Sequence, residues 1–273
     1  MRLRSAFFAL VFAALCLASA GSSSVLVYGQ EKQQKNAKQP TAEQVVELVI
    51  IYFGQRPVLQ QVRRTGIERG AITRTKEDGV TEEITYERRF MRGDDSTKDK
   101  IRLDQKTPAA EFSLLFKEGR LSGLINGVSF TPRQDVLDEF FASTHHDIEA
   151  LLRYKENKSQ VTLSGREKQK NIDMYVLDLV DTEKRRTRYY VSAQRARVLW
   201  LEYEQPGAPG TAPVKIKRTF HDYAYAQGTL VPYRIMTYAD GKLLDERRVR
   251  TVTYGVKLDE TVFNNTETSA TLP

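Results

Sequence analysis

The sequence predicts a mainly β protein with some α: one large curved antiparallel sheet of about eleven strands laid over an early helix and a central helical segment. Three observations carry this. Long stretches alternate apolar and polar residues, as in "EFSLLFK" from Glu111 to Lys117, where Phe112, Leu114 and Phe116 share one face. The links between most of these stretches are short and rich in Gly, Asn or Asp, which suits hairpins better than crossover helices. Helical spacing replaces the alternation in only two regions, and no fixed-period repeat points to a propeller or solenoid.

The chain opens MRLRSAFFALVFAALCLASAGSSSVLVYGQ, with Arg2 and Arg4 ahead of an apolar run from Ala6 to Ala20 and small residues beyond it. That is the layout of a secretory signal peptide, and the run is shorter than the roughly 20 residues that cross a bilayer. Cleavage fits after Ala20 or after Gly29. Either cut removes Cys16, the only cysteine, so the exported chain is expected to have no disulfide, no thiol nucleophile and no thiolate metal site. Leu15 stands where a bacterial lipoprotein signal needs a small residue, so a lipid-anchored form is not expected. Residues 30–39, rich in Gln, Lys and Asn, read as a disordered lead, and residues 264–273 as a polar tail.

Thr41 followed by Gln44 is a capping-box pattern. Val45, Val46, Leu48, Val49, Ile50 and Tyr52 then fill several faces of a helix that stops at Gly54, and a helix apolar on nearly all sides is expected to be enclosed. After Pro57 and a short helical turn, strands run from Val62 to Lys76 and from Val80 to Met91 around a Glu77-Asp78-Gly79 hairpin signal. Asp99 to Leu103, Glu111 to Lys117 and Arg120 to Ile125 follow, the last closed by Asn126-Gly127. From Pro132 to Tyr154 two apolar stripes, Val136, Leu137, Phe140 and Phe141, then Ile148, Leu151 and Leu152, predict two helical pieces or one bent helix, with Thr144-x-x-Asp147 able to cap the second. Strands resume at Gln160 to Leu163, Asp173 to Val180, Arg186 to Val191, Val198 to Tyr203, Val214 to Tyr223, Leu230 to Tyr238 and Lys242 to Tyr254, with "QPGAPGT" from Gln205 as the flexible loop. Asp173 to Val180 is apolar on both faces, so it is covered on both or meets a lipid or partner.

Charge and motifs exclude more than they suggest. The chain carries 42 Lys and Arg against 35 Asp and Glu, scattered in mixed groups such as "DTEKRRTR", which read as solvated strand faces and not as a nucleic-acid arm. His145-His146-Asp147 lacks the spacing of a metal site and reads as an exposed loop or cap, so no metal or cofactor is expected. Asp94-Asp95 reads as a polar turn, and no nucleophile elbow, phosphate loop or dinucleotide fingerprint appears. Many Tyr and Phe fall in strands, where they serve a packed core or an apolar cavity equally well.

One motif near the C-terminus goes further. "LVPYRIMTY", an Asp240-Gly241 turn and "ERRVRTVTYGVKLDETVF" put a Pro-containing strand, a dipeptide turn and a long last strand before Phe263. Together with the export signal, the helix ending in "YFG", the long hairpins and the central helical cover, this resembles the LolA-like superfamily of periplasmic outer-membrane lipoprotein carriers and sorting-like proteins, over residues 40–263. The likeness is nearer to the divergent sorting-like members, and the matching positions include Leu230, Pro232, Tyr233, Val249, Val252 and Leu258. The resemblance implies one incomplete β-barrel around helices, periplasmic and without enzymatic activity, whose apolar hollow takes a lipid or lipoprotein acyl chain and which touches the membrane only peripherally. Phe112, Leu114, Phe116, Leu121, Phe140, Phe141 and Trp200 are the expected cavity residues. In the carriers an arginine ties the lid to the barrel, and the motifs do not single out its counterpart here. The alternative implied by the same fold is an envelope sensor that binds a protein partner.

Overall fold

Helix α1, Ala42–Phe53, starts at the capping box: the Gln44 amide donates to Thr41 Oγ1 at 3.3 Å and the Thr41 amide to Gln44 Oε1 at 2.9 Å. Gly54 ends it at φ +133°, where a Cβ would stand 2.9 Å from the Gly228 carbonyl oxygen, so only glycine fits. The computed structural model describes residues 39–264 apart from 77, 208 and 209. The signal peptide and its cleavage sites, nearly all of the lead and the tail beyond residue 264 lie outside the described residues.

Helix α2, Arg56–Val62, carries Pro57 in its first turn and leads into the first meander. That meander comprises β1 (Thr65–Thr75), β2 (Thr81–Met91), β3 (Lys100–Lys106), β4 (Glu111–Lys117), β5 (Arg120–Ile125) and β6 (Val128–Phe130). After α3 (Gln134–His145) and α4 (Ile148–Leu152) the chain restarts at the opposite edge of the sheet. It returns through β7 (Gln160–Gln169), β8 (Ile172–Val180), β9 (Arg186–Ser192), β10 (Val198–Gln205), β11 (Val214–Ala226), β12 (Thr229–Ala239) and β13 (Lys242–Tyr254). The order β6-β5-β4-β3-β2-β1-β13-β12-β11-β10-β9-β8-β7 makes one antiparallel sheet whose ends, β6 and β7, do not pair, so the barrel is incomplete. Among the described residues thirteen strands stand where about eleven were expected; the one outside every stretch named from the sequence is Val128–Phe130, too short to show an alternation.

The hairpin of β12 and β13, which carries the C-terminal motif, forms the seam. β13 pairs with β1, setting Val249 opposite Gly70 and Arg247 opposite Ile72, and joins the two meanders. Irregular register at Arg69/Gly70, Thr237/Tyr238 and Val198/Trp200 adds the local bend that curves the sheet.

Two apolar clusters pack against the concave side. α1 and α4 pack Val46, Val49, Phe53, Leu151 and Leu152 against Leu177, Tyr189, Leu201 and Ile216 of β8 to β11. α3 packs Phe140 against Phe90, Ile101, Leu114 and Phe116 of β2 to β4. α1 is not enclosed on all sides, however: Leu48, Ile51 and Tyr52 remain 45%, 54% and 43% exposed, because the helix covers the sheet with one face and no described layer covers the other. The two-piece reading of the central helices holds, but Asp147 alone caps α4, its Oδ1 accepting from the Ile148 amide at 2.7 Å, while the Thr144 hydroxyl turns back to the Phe140 carbonyl at 3.0 Å.

Candidate functional site

The inner face of the sheet is set by alternation. On β4 it presents Phe112, Leu114 and Phe116; on β2, the parity of Ile84, Tyr86 and Phe90 also carries Arg88 inward; on β11, Arg218 lies between Ile216 and Phe220; on β13, Arg247 precedes Val249. Guanidinium groups thus share an interior with aromatic rings.

A hollow of about 1320 Å3 lies between α3 and this face. Phe112, Leu114, Phe140 and Phe141 line it, together with Val136, Leu103 and Ile84, and charged residues such as Arg74, Glu82, Glu139 and Lys215 complete the wall. Of the other expected residues, Phe116 and Leu121 do not reach its wall: Phe116 packs behind it at 5.7 Å from Phe140 and 5.9 Å from Phe141, ring centre to ring centre, with Leu121 in the same cluster. Trp200 is elsewhere. It stacks on Tyr190 at 4.4 Å with the Lys217 ammonium 4.4 Å from its ring, in a cluster with Met174 and Val176 on the convex side. Leu201 and Tyr203 take the inward positions of β10, and this parity sends Trp200 outward. The same cluster covers the second apolar face of β8, beside Asp178, whose carboxylate accepts from Arg188 at 2.9 Å and Arg186 at 2.6 Å.

The link between α3 and α4 is seated in the fold, with His146 buried and His145 and Asp147 half-buried, contrary to the exposed loop expected at His145-His146-Asp147. Three bonds seat it on the sheet: Arg218 Nη1 donates to the His146 carbonyl at 2.7 Å, the Tyr189 hydroxyl donates to the Asp147 carbonyl at 2.8 Å, and His146 Nδ1 lies 2.7 Å from Thr187 Oγ1. The His146 ring stacks on Tyr203 at 3.9 Å and His145 on Phe141 at 5.6 Å. Burial, with Arg185 nearby, pushes His145 down to about 4, and burial, with His145 and Arg218 beside it, pushes His146 down to about 3, so both rings are neutral at pH 7. Arg218, 5% exposed, thereby ties the helical cover to the sheet, and its Nε has no hydrogen-bond partner among the described residues.

A second hollow of about 350 Å3 adjoins the first, with Arg88, Arg247, Thr144, His145 and Asp147 in the walls of both. Its floor is polar. Glu149 of α4 lies between Arg63, at 3.2 Å, and Arg92; Arg153 reaches Asp99 at 2.8 Å and the Gly93 carbonyl at 2.9 Å. The Tyr86 hydroxyl donates to Glu68 Oε1 at 2.7 Å, with Arg247 4.0 Å from the same oxygen. Burial alone would raise the Glu149 carboxyl, but Arg92, Arg63 and Arg153 overcome it and hold the group below its ordinary range. Burial keeps Asp99 above its ordinary range despite Arg153, and draws Arg92 down to about 10.

These interior charges contradict the expectation that mixed charges sit on solvated strand faces. "RTF" and "YERRF" look like surface runs, yet Ile216-x-Arg218-x-Phe220 and Ile84-x-Tyr86-x-Arg88-x-Phe90 have the parity of buried rows. That signal was present. The Arg63–Glu149–Arg92 contact had none, because α2, α4 and the end of β2 meet only through the fold.

No protein-family model matches the sequence, and no curated protein sequence does. Solved structures do. A LolA superfamily protein from Nitrosomonas europaea superposes with a TM-score of 0.58 at 15% identity over 83% of this chain and 98% of its own. The fold is LolA-like. A DUF1329 family protein from Desulfovibrio piger gives 0.59 at 12% identity over 83% and 98%, and an outer membrane lipoprotein-sorting protein domain from Vibrio parahaemolyticus gives 0.52 at 14% over 73% and 89%. At such identities the LolA-like likeness concerns the backbone, and side-chain roles rest on the geometry above. Among the described residues no helix is long and apolar enough to cross a membrane, and no group of three His, Cys, Asp or Glu is placed to hold a metal.

Proposed function

We propose that the chain is an exported, periplasmic, non-enzymatic protein that binds a lipid or lipoprotein acyl chain inside its half-barrel. The observation that carries this is the hollow of about 1320 Å3 walled by Phe112, Leu114, Phe140 and Phe141 beneath α3. A carrier must keep alkyl surface dry, at about 0.8 kcal/mol per CH2, and still release it to a better site. An incomplete barrel under a helical cover suits that, because the cover can shift without breaking the sheet; Arg218 is the strap that holds the cover down. In this reading residues 1–29 are the export signal, cut after Ala20 or Gly29, and residues 40–263 the LolA-like domain.

Native mass spectrometry of protein purified from its own export compartment, followed by denaturing extraction, tests the reading. A stoichiometric acylated species supports it. Protein that is empty and takes up no lipid from offered membranes refutes it and favours a second reading, an envelope module that binds a protein partner. The exposed Leu48, Ile51 and Tyr52 face of α1 supports that second reading, and crosslinking from position 51 in the envelope would identify such a partner.

A further inference from the structure

The polar hollow asks for a ligand of its own. Four of its carboxylates are engaged: Glu68 by Tyr86 and Arg247, Asp99 by Arg153 and the Gly93 amide, Glu149 by ion pairs with Arg63 and Arg92 although its Oε2 makes no hydrogen bond among the described residues, and Asp147 by the Ile148 amide. Arg92 and Arg153 are paired by the same carboxylates, but two donors of Arg63 and the guanidinium of Arg88 are left over among the described residues. Arg63 Nε and Nη1 are buried without a hydrogen-bond partner, and Arg88 meets no carboxylate within ion-pair distance among the described residues, resting instead 5.2 Å from the Phe90 ring. Buried donors without acceptors are costly, and a carboxylate or phosphate oxygen is the acceptor that fits a guanidinium fork best. Arg88 and Arg247 also stand where this hollow opens into the aromatic one.

We propose that the occupant is an amphiphile with an anionic head, its carboxylate or phosphate received by Arg63, Arg88 and Arg247 and its alkyl chain running along Phe112, Leu114, Phe140 and Phe141. This rests on the acyl-chain reading above and names the class of ligand. The two hollows then serve one molecule: the apolar part supplies most of the binding energy, and the arginines choose the head group and fix its end of the chain.

The test compares three ligands of equal chain length, palmitate, hexadecanol and hexadecyltrimethylammonium, by calorimetric titration into the delipidated protein. Palmitate is expected to bind about tenfold more tightly than either of the others. In Arg88→Gln that preference is expected to fall to about threefold or less, and Arg88→Lys to recover part of it, with circular dichroism confirming that both variants fold. Lys170→Gln, in the exposed β7–β8 turn and in the wall of neither hollow, serves as the control. Equal affinity for palmitate and hexadecanol overturns the proposal while leaving the acyl-chain reading intact. Acetate or inorganic phosphate binding as tightly as palmitate overturns it in favour of a free small-anion site, and failure of all three long-chain ligands to bind overturns both readings.

Discussion

Replacing Glu149 by Gln keeps the shape of the α4 side chain and removes the one negative charge that lies between Arg63 and Arg92. These arginine side chains are 12% and 13% exposed and Glu149 is 22% exposed, so the triad is largely but not wholly dry. Taking one partner from a buried ion pair costs about 3–5 kcal/mol, chiefly because the charges left behind stay desolvated. With a fifth of Glu149 still accessible, the lower end applies, about 3 kcal/mol, equivalent to roughly 6–12 °C in Tm for a domain of this size. Urea unfolding at pH 7 followed by circular dichroism measures it. The pH dependence supplies a second reading of the same contact. The Glu149 carboxyl is held below its ordinary range, so its contribution is complete above the unfolded-state value near 4.5 and is lost as pH falls towards the folded-state value. Glu149→Gln is expected to lack that part of the acid loss. Buried Asp99, shifted upward, acts with the opposite sign in the same region and remains in both proteins, so it cancels in the comparison. A variant within about 0.5 kcal/mol of the parent at pH 7 would refute the argument and show that water reaches the triad freely.

Three further outcomes follow from the same geometry. His145 and His146 are neutral when folded, so stability is complete above about 6.5 and falls as pH drops towards their folded values of about 4 and 3; each contributes up to about 1.4 kcal/mol per pH unit, and His146→Asn should remove about half of the slope between pH 6 and 4.5 in urea melts. Gly70→Ala places a Cβ 2.2 Å from the Arg248 carbonyl oxygen, on the seam between β1 and β13, and should cost about 1–3 kcal/mol by thermal unfolding; a neutral result would mean that the two meanders are not locked there. Trp200 is the sole tryptophan and faces the convex side, so saturating the protein with an acyl ligand should leave its emission maximum unmoved, and a marked blue shift would place the ligand on the outer face instead.

The sequence by itself determined what depends on neighbours along the chain. Alternation defined most strands, the Thr41/Gln44 capping box and Gly54 bounded α1, and the parity of Phe112 and Leu114 placed both on the inner face. Even Arg88 and Arg218 were legible as inward, since each sits between apolar residues of the same parity. Only the tertiary structure decided how many of those inward residues meet a void, because alternation specifies a face and not the curvature that leaves it unfilled. Thus Phe116 packs solidly while Phe112 borders a hollow. It also decided that β13 closes on β1, that the His146 linker sinks onto Tyr203 and Thr187, and that Glu149 lies between two arginines far from it in sequence. Each of these joins residues through long-range packing, where the energy comes from burial and complementary charge and leaves no periodic trace in the sequence.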